Sequence, residues 1–367
     1  MSRATVAPFP SRVAGNPYCD LLYGRLTALG VDVETEAELS FKWLRRNRRR
    51  VAVLHLHWPE FYYRGRAGAA TVRSFAGFLA CLALARMLGY RIVWTIHNAL
   101  PHEPHPADRL VRWVLMRIAR TAVHSPAARG ALPPGGGLPA VVPHGHYIGA
   151  YPDTVSRRDA RTRLGISAGD RVLLFFGQVR DYKGIADLVQ AFRGIPDPHV
   201  KLVVAGRPAV AADGEALRAL AVGDARIQLH LRFIPDDEVQ VFFRSADFVV
   251  LPYRQVLTSG VAILSLSFGR PLVVPRLGCL QDLDGSCAIS YDPVDPLGLD
   301  RALETARRAD PALMAQRARS LAAALEWDGI ARAYRELYGL PPCAAGSGVM
   351  RPLRGVRGAG ARAAAGR

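Results

Sequence analysis

Lysine is scarce in this chain. Of its 48 basic side chains 45 are arginine, and one of the three lysines, Lys183, lies in the segment FGQVRDYKG, Phe176 to Gly184. An apolar run, RVLLFF, precedes the segment and helix-forming sequence follows it. Gly177 permits close approach of a ligand to the backbone, while Arg180 and Lys183 add point charges to the free amides and positive end of a helix. That combination suits a diphosphate. A second anion site is offered by Thr258, Ser259 and Gly260, which stand between a strand and the apolar helix VAILSLSF with no carboxylate beside them. A helix cap without any ligand accounts for the same three residues.

Two other turns carry groups able to take a proton. In VLHLHWPEFYYR, His55, His57, Trp58 and Glu60 lie at or beyond a strand end, and a carboxylate or imidazole there could deprotonate an acceptor hydroxyl. His55 and His57 share a face by the two-residue period of a strand, and His55 reads as a packed core histidine. In VWTIHNALPHEPH, His97 sits at a strand boundary facing a cleft. Asn98 follows it, and His102, Glu103 and His105 read as polar loop residues. No third ligand accompanies the His55 and His57 pair, so no metal site is expected.

Elements that would hold these turns follow from the alternation of short apolar runs with longer amphipathic ones, the pattern of βα units on a parallel sheet. The first half predicts a poor strand near Val6, a helix from Tyr18 to Leu29, and strands at Val31–Val33, Val51–His57 and Arg91–Ile96. After LPPGGGLP and VVPHGHY the pattern restarts with RVLLFFGQ, VKLVVAGRP, RIQLHLRF, DFVVLPYR and RPLVVP. Two tandem Rossmann-like domains are expected: residues 1–147 and 148–340, with the last helix, 327–338, a candidate to return to the first domain. Residues 341–367, rich in Gly, Ala and Arg, read as a disordered basic tail. In such domains ligands bind beyond the carboxyl ends of the strands, where all four turns fall.

The formal charge of +17 calls for an anionic partner: phosphate-bearing ligands, an anionic bilayer or nucleic acid. LRRNRRR, Leu44 to Arg50, is a solvated charge run or, with RSFAGFLACLALARMLGY downstream, a basic and apolar face for a membrane. Apolar stretches are broken by Arg or Gly before they reach membrane-spanning length, and the N-terminus lacks the apolar core of a signal peptide, so a cytoplasmic chain is expected. Five scattered cysteines without a Cys-x-x-Cys spacing suggest neither a disulfide frame nor zinc. The fingerprints of nicotinamide and P-loop sites are missing, and Asp282-Leu283-Asp284 is a common acidic triplet in a late loop.

At these residues the chain resembles the GT-B glycosyltransferases, α/β enzymes of two facing Rossmann-like domains with a cleft between them. VVPHGHY, FGQVRDYKG and WDGIARAYRELY carry that likeness. More narrowly, NPYCDLLYGRL, VLHLHWPE, TIHNALPHE, PHGHY, YKG and LPYRQVLTSG, in this order from about Asn16 to Tyr338, are similar to the GDP-mannose:glycolipid 4-β-mannosyltransferases of exopolysaccharide synthesis. The resemblance implies metal-free, inverting transfer of mannose from GDP-mannose to a polyprenyl-diphosphate-linked oligosaccharide at the inner membrane face, with no cofactor beyond the nucleotide sugar. It implies that Gly177, Arg180 and Lys183 hold the donor diphosphate from one side and Ser259 and Gly260 from the other. Tyr253, Gln255 and Thr258 would border the sugar or phosphates, and Asn16 and Tyr18 would face donor or acceptor, with His57 near them. Arg180 would stand in for an arginine that the wider class carries nearer the glycine. The two glutamates eight apart that mark retaining GT-B enzymes are missing from Leu251 to Pro271, which favours inversion.

Such a mechanism is a single displacement, with Glu60 the first and His97 the second candidate for the base. Arg180, Lys183 and the Thr258 to Gly260 turn would stabilise the leaving diphosphate. Rival readings are a GT-B transferase with another donor, a sugar-nucleotide epimerase of the same architecture, and a basic nucleic-acid-binding protein. No nucleic-acid partner is expected, because the aromatics are not interleaved with the basic clusters.

Overall fold

The computed structural model describes residues 4–64, 72–98, 105–132 and 137–341. Two six-stranded parallel sheets organise the chain. The first holds β1 (Thr5–Phe9), β2 (Asp32–Val33), β3 (Val51–Leu56), β4 (Arg91–Thr95), β5 (Arg120–Val123) and β6 (Ala140–Val141), in the order β2-β1-β3-β4-β5-β6. The second holds β7 (Arg171–Phe176), β8 (Val200–Ala205), β9 (Ile227–His230), β10 (Phe248–Val250), β11 (Leu272–Pro275) and β12 (Ala288–Tyr291), in the order β12-β11-β10-β7-β8-β9. Chain direction across each sheet reverses beside its first strand, next to β1 and next to β7. Crevices open at the carboxyl ends of strands at such reversals.

Helices cover the sheets, so the central strands are buried on both faces and read as continuous apolar runs. β7 and β8 show this: Val172, Leu173, Leu174, Phe175, Leu202, Val203, Val204 and Ala205 are all inaccessible. Each fully buried Val, Leu or Phe contributes about 1.5–3 kcal/mol relative to exposure. The poor first strand is a real one, five residues in parallel register with both β2 and β3.

The helix Trp327–Leu337 packs against the helix Tyr18–Ala28 of the first domain. Its Trp327, Ile330, Ala331 and Tyr334 share a core with Val6, Leu22, Val53 and Val93. Where the chain crosses between domains the two segments touch. His146 N donates to Leu325 O at 3.1 Å, and the Trp327 indole donates to His146 O at 2.8 Å. Gly145 sits beneath this indole, where a Cβ would overlap the Trp327 ring. Gly145→Ala is therefore expected to destabilise the fold by about 1–3 kcal/mol through overpacking, read as a lower thermal midpoint; an unchanged midpoint would show that the indole moves freely.

Candidate active site

On the second domain the backbone is drawn tight around the end of β7. Gly177 has φ 115°, and a Cβ there would lie 3.4 Å from Lys183 Nζ and from Val261 Cγ2. Asp181–Lys183 form a 3-10 turn ending at Gly184, whose αH face abuts the Pro252 carbonyl. Arg254 clamps the arrangement: its guanidinium reaches both Asp187 oxygens at 2.8 Å and Asp181 at 3.1 Å, and its N–H donates to Tyr182 O at 2.9 Å. The turn after β7 and the segment after β10 thus form one rigid unit.

Lys183 is the unusual member of that unit. Its ammonium lies 5.6 Å from the Tyr253 ring centroid and 6.0 Å from that of Phe175, and among the described residues no carboxylate pairs with it. Burial, and then Arg180, push it down to about 8. A half-buried cation without an anion is unfavourable unless a ligand supplies the charge. A cavity of about 130 Å3 opens beside it, lined also by Asn98, Tyr182, Tyr253, Gln255, Thr258, Ser259 and Gly260.

Both hydroxyls of the Thr258 and Ser259 pair are already engaged. Thr258 Oγ1 donates across the cleft to His97 O at 2.7 Å, and Ser259 Oγ caps the helix Gly260–Ser267 by accepting from Ala262 N at 3.2 Å. What remains for an anion is the Gly260 and Val261 amides at the start of that helix, which have no intrahelical acceptor. Arg180 lies outside the cavity wall, its Nε donating to Gln178 Oε1 at 3.0 Å.

The first domain supplies the facing wall. β3 delivers His57 and Trp58 to the start of the short helix Glu60–Tyr63. Burial drives the Glu60 carboxyl up to about 7, with Asp108 adding to the effect and Arg64 opposing it. Asp108, itself buried, holds the segment by accepting from Tyr63 Oη at 2.6 Å, from His105 N at 2.7 Å and from the Arg64 guanidinium. His97 is buried as well, its ring stacked on Trp58 at 4.2 Å and its Nε2 3.1 Å from His57 Nδ1. Burial holds it well below the usual imidazole range, and His124, His57 and His144 add to this. A water-sized space of about 20 Å3 is lined by Glu60, His97, Asn98, Trp94, Asp108 and Arg112 among others. Asn98 borders this space and the Lys183 cavity alike, so the candidate base and the candidate anion site share a wall.

Other expected site residues fall elsewhere. Tyr18 is wholly inaccessible, its ring packed among His57, His97, His124, His144 and Trp327, so it cannot face donor or acceptor. It heads a helix whose first turn points into the core. Asn16 is tied down, its Oδ1 accepting from Tyr18 N at 3.1 Å and from Tyr147 Oη at 3.2 Å. His57 is buried behind His97, and His55 is a core residue. His105 caps the helix Pro106–Ile118, while His102 and Glu103 lie outside the described residues. Asp282 accepts from Ala127 N at 3.2 Å, bridging the domains rather than gathering into a metal cluster; among the described residues no group of three or more His, Cys, Asp or Glu could hold a metal ion.

This geometry can be set beside known structures. Sucrose-phosphate synthase from Thermosynechococcus elongatus superposes with a TM-score of 0.70 at 18% identity, covering 92% of this chain and 100% of that one. Anabaena HepE in complex with UDP and glucose gives 0.69 at 15% identity over the same shares. The chain has the GT-B glycosyltransferase fold. Within its GT-B framework, residues 170–307 match the family described as glycosyl transferases group 1. The chain is 31% identical over 228 residues to the GDP-mannose:glycolipid 4-beta-D-mannosyltransferase of Xanthomonas campestris pv. campestris, a match spanning 62% of each protein. It is 30% identical over 198 residues to the D-inositol 3-phosphate glycosyltransferase of Xylanimonas cellulosilytica, 51% of this chain and 46% of that one.

Asn98, noted in the sequence only as following His97, and three residues that did not stand out there complete the GT-B cleft. Asn98 joins the two cavities, Asp108 and Arg254 fix the two walls, and Leu257 reaches across to pack in the core of the first domain. Only Arg254, in the Pro-Tyr-Arg that follows β10, carried a positional signal.

Proposed function

We propose that this chain is an inverting glycosyltransferase that moves a sugar, mannose from GDP-mannose, to a lipid-linked glycan acceptor in bacterial surface-polysaccharide synthesis, acting at the cytoplasmic face of a membrane. The observation that carries the reading is Lys183: a half-buried ammonium with no carboxylate partner among the described residues, poised over Gly177 and beside the free amides of the helix at Gly260. A nucleoside diphosphate supplies the missing charge. Lys183 and that helix end then stabilise the negative charge that gathers on the leaving group, the role a metal ion plays in other transferases. Glu60 takes the proton of the acceptor hydroxyl, and its raised pKa matches that task near neutral pH. The mannosyltransferase likeness supports the choice of donor and acceptor.

A lipid-linked acceptor requires access to a bilayer. No helix among the described residues is long and apolar enough to cross one. The helices Val72–Met87 and Pro106–Ile118 instead expose Val72, Met87, Leu110 and Trp113 beside Arg73, Arg86, Arg109 and Arg117. Apolar side chains rimmed by cations suit an anionic membrane surface.

Thermal unfolding with GDP-, UDP-, ADP- and dTDP-sugars, each with and without EDTA, tests the donor. A rise confined to GDP-mannose and insensitive to EDTA is expected. A rise with another nucleotide replaces the donor, and an EDTA-sensitive rise removes the metal-free mechanism. Flotation with anionic vesicles, lost at high salt, is the matching result for the surface, and equal binding to neutral vesicles would contradict it.

A further inference from the structure

The two walls of the cleft converge on Asn98, just past the end of β4. Among the described residues it alone borders both the cavity beside Lys183 and the small space beside Glu60. The residue before it is held from across the cleft, where Thr258 Oγ1 donates to His97 O at 2.7 Å. Asn98 is half-buried, and among the described residues its side-chain amide has no hydrogen-bond partner. That amide offers one oxygen that accepts and two N–H groups that donate, so a side chain placed here with all of them unused is available to a ligand.

What that ligand presents follows from the single displacement proposed above, on which this step rests. Inversion brings the nucleophile and the leaving group to opposite faces of the anomeric carbon. Glu60 and the acceptor hydroxyl then stand on one side, Lys183 and the diphosphate on the other. A residue bordering both spaces lies abreast of that carbon, beside the sugar ring. Two ring atoms flank the anomeric carbon there, the ring oxygen and C2. The ring oxygen becomes electron-poor as the bond to the diphosphate breaks and accepts a hydrogen bond poorly. The 2-hydroxyl can donate to a carbonyl oxygen throughout, and hydrogen bonds to that hydroxyl strengthen in an oxocarbenium-like transition state.

We propose that Asn98 is the residue that selects the C2 configuration of the transferred sugar, its amide oxygen accepting from the 2-hydroxyl. Mannose and glucose differ only at that carbon. The hydroxyl is axial in the first and equatorial in the second, so one acceptor held in a fixed place serves one of them. A neutral amide suits the position. A carboxylate could accept the same hydrogen, but it would repel the diphosphate on one side and raise the proton affinity of Glu60 on the other.

Transfer from GDP-mannose and from its 2-deoxy counterpart, by wild type, Asn98→Ala and Asn98→Asp, tests this as a cycle in which the intrinsic reactivity of the 2-deoxy donor cancels between proteins. The ratio of kcat with the intact donor to kcat with the 2-deoxy donor should be about tenfold greater in wild type than in Asn98→Ala, the size of one hydrogen bond. Preference for GDP-mannose over GDP-glucose should fall by a similar factor in Asn98→Ala. Asn98→Asp keeps the accepting oxygen, so its 2-deoxy ratio should stay near that of wild type even where the added charge weakens donor binding. A 6-deoxy donor should show one ratio in all three proteins. Since the amide has no partner among the described residues, Asn98→Ala should melt as wild type does. A 2-deoxy ratio equal in wild type and Asn98→Ala would overturn the assignment and leave the transfer reaction standing. A wild-type protein that transfers sugar from no nucleotide would instead remove the reaction, and the assignment with it.

Discussion

Lys183→Met is expected to lower sugar transfer by about 10²–10³-fold, the loss typical of removing a preorganised charge from the leaving-group side of a transition state. Nucleotide-dependent thermal stabilisation should vanish with it. The unliganded protein, however, should melt at the same temperature or higher. Lys183 is pushed down to about 8, so the folded state holds its proton less tightly than the unfolded chain, and near neutral pH the charged side chain lowers stability. A binding-site lysine thus separates from a structural one: the first costs activity and spares the fold, the second costs both. Transfer near the wild-type rate in a well-folded Lys183→Met protein would remove the diphosphate from this cavity.

Glu60→Gln is expected to lower kcat by about 10²–10⁴-fold with little change in KM. The wild-type pH profile provides the sign. The carboxylate is the active form, so kcat/KM should rise with pH through about 7 and level above it, and the variant should lose that limb. Stability runs the other way. With its folded pKa raised, Glu60 favours the fold when protonated, and that contribution fades as pH rises through about 7. The glutamine variant should therefore hold its melting temperature better than wild type does between about pH 4.5 and 7, with the difference level above that range. Full activity with an unaltered pH profile would assign the base elsewhere.

Much of the fold was open to reading because the strands obey local rules. β7 and β8 are buried on both faces, and their unbroken apolar runs announce parallel strands. β5 and β12 went unseen for equally physical reasons. β5 is four residues that start one residue after the helix Pro106–Ile118 ends, and β12 is four residues with a single fully buried position. The site divides along the same line. Gly177 and Lys183 belong to one turn, so type and spacing brought them out as candidates. Asn98, Asp108 and Leu257 gain their roles only when distant segments meet. The expectation that Tyr18 faces a ligand failed because its place after β1 fixes which end of the sheet it occupies, and not which way its helix turns it.

The paired crossings at His146 and Leu325 set how the two domains of this chain can move. Two covalent passages lie side by side and are hydrogen-bonded to each other. A single linker lets two bodies swivel in any direction, whereas adjacent passages leave a narrow strip that bends about one axis. The lips of the cleft then approach along a fixed arc, with Thr258 returning to the His97 carbonyl and Leu257 to its apolar socket each time they meet. Closure is reproducible because the tail of the chain is stitched back beside its middle.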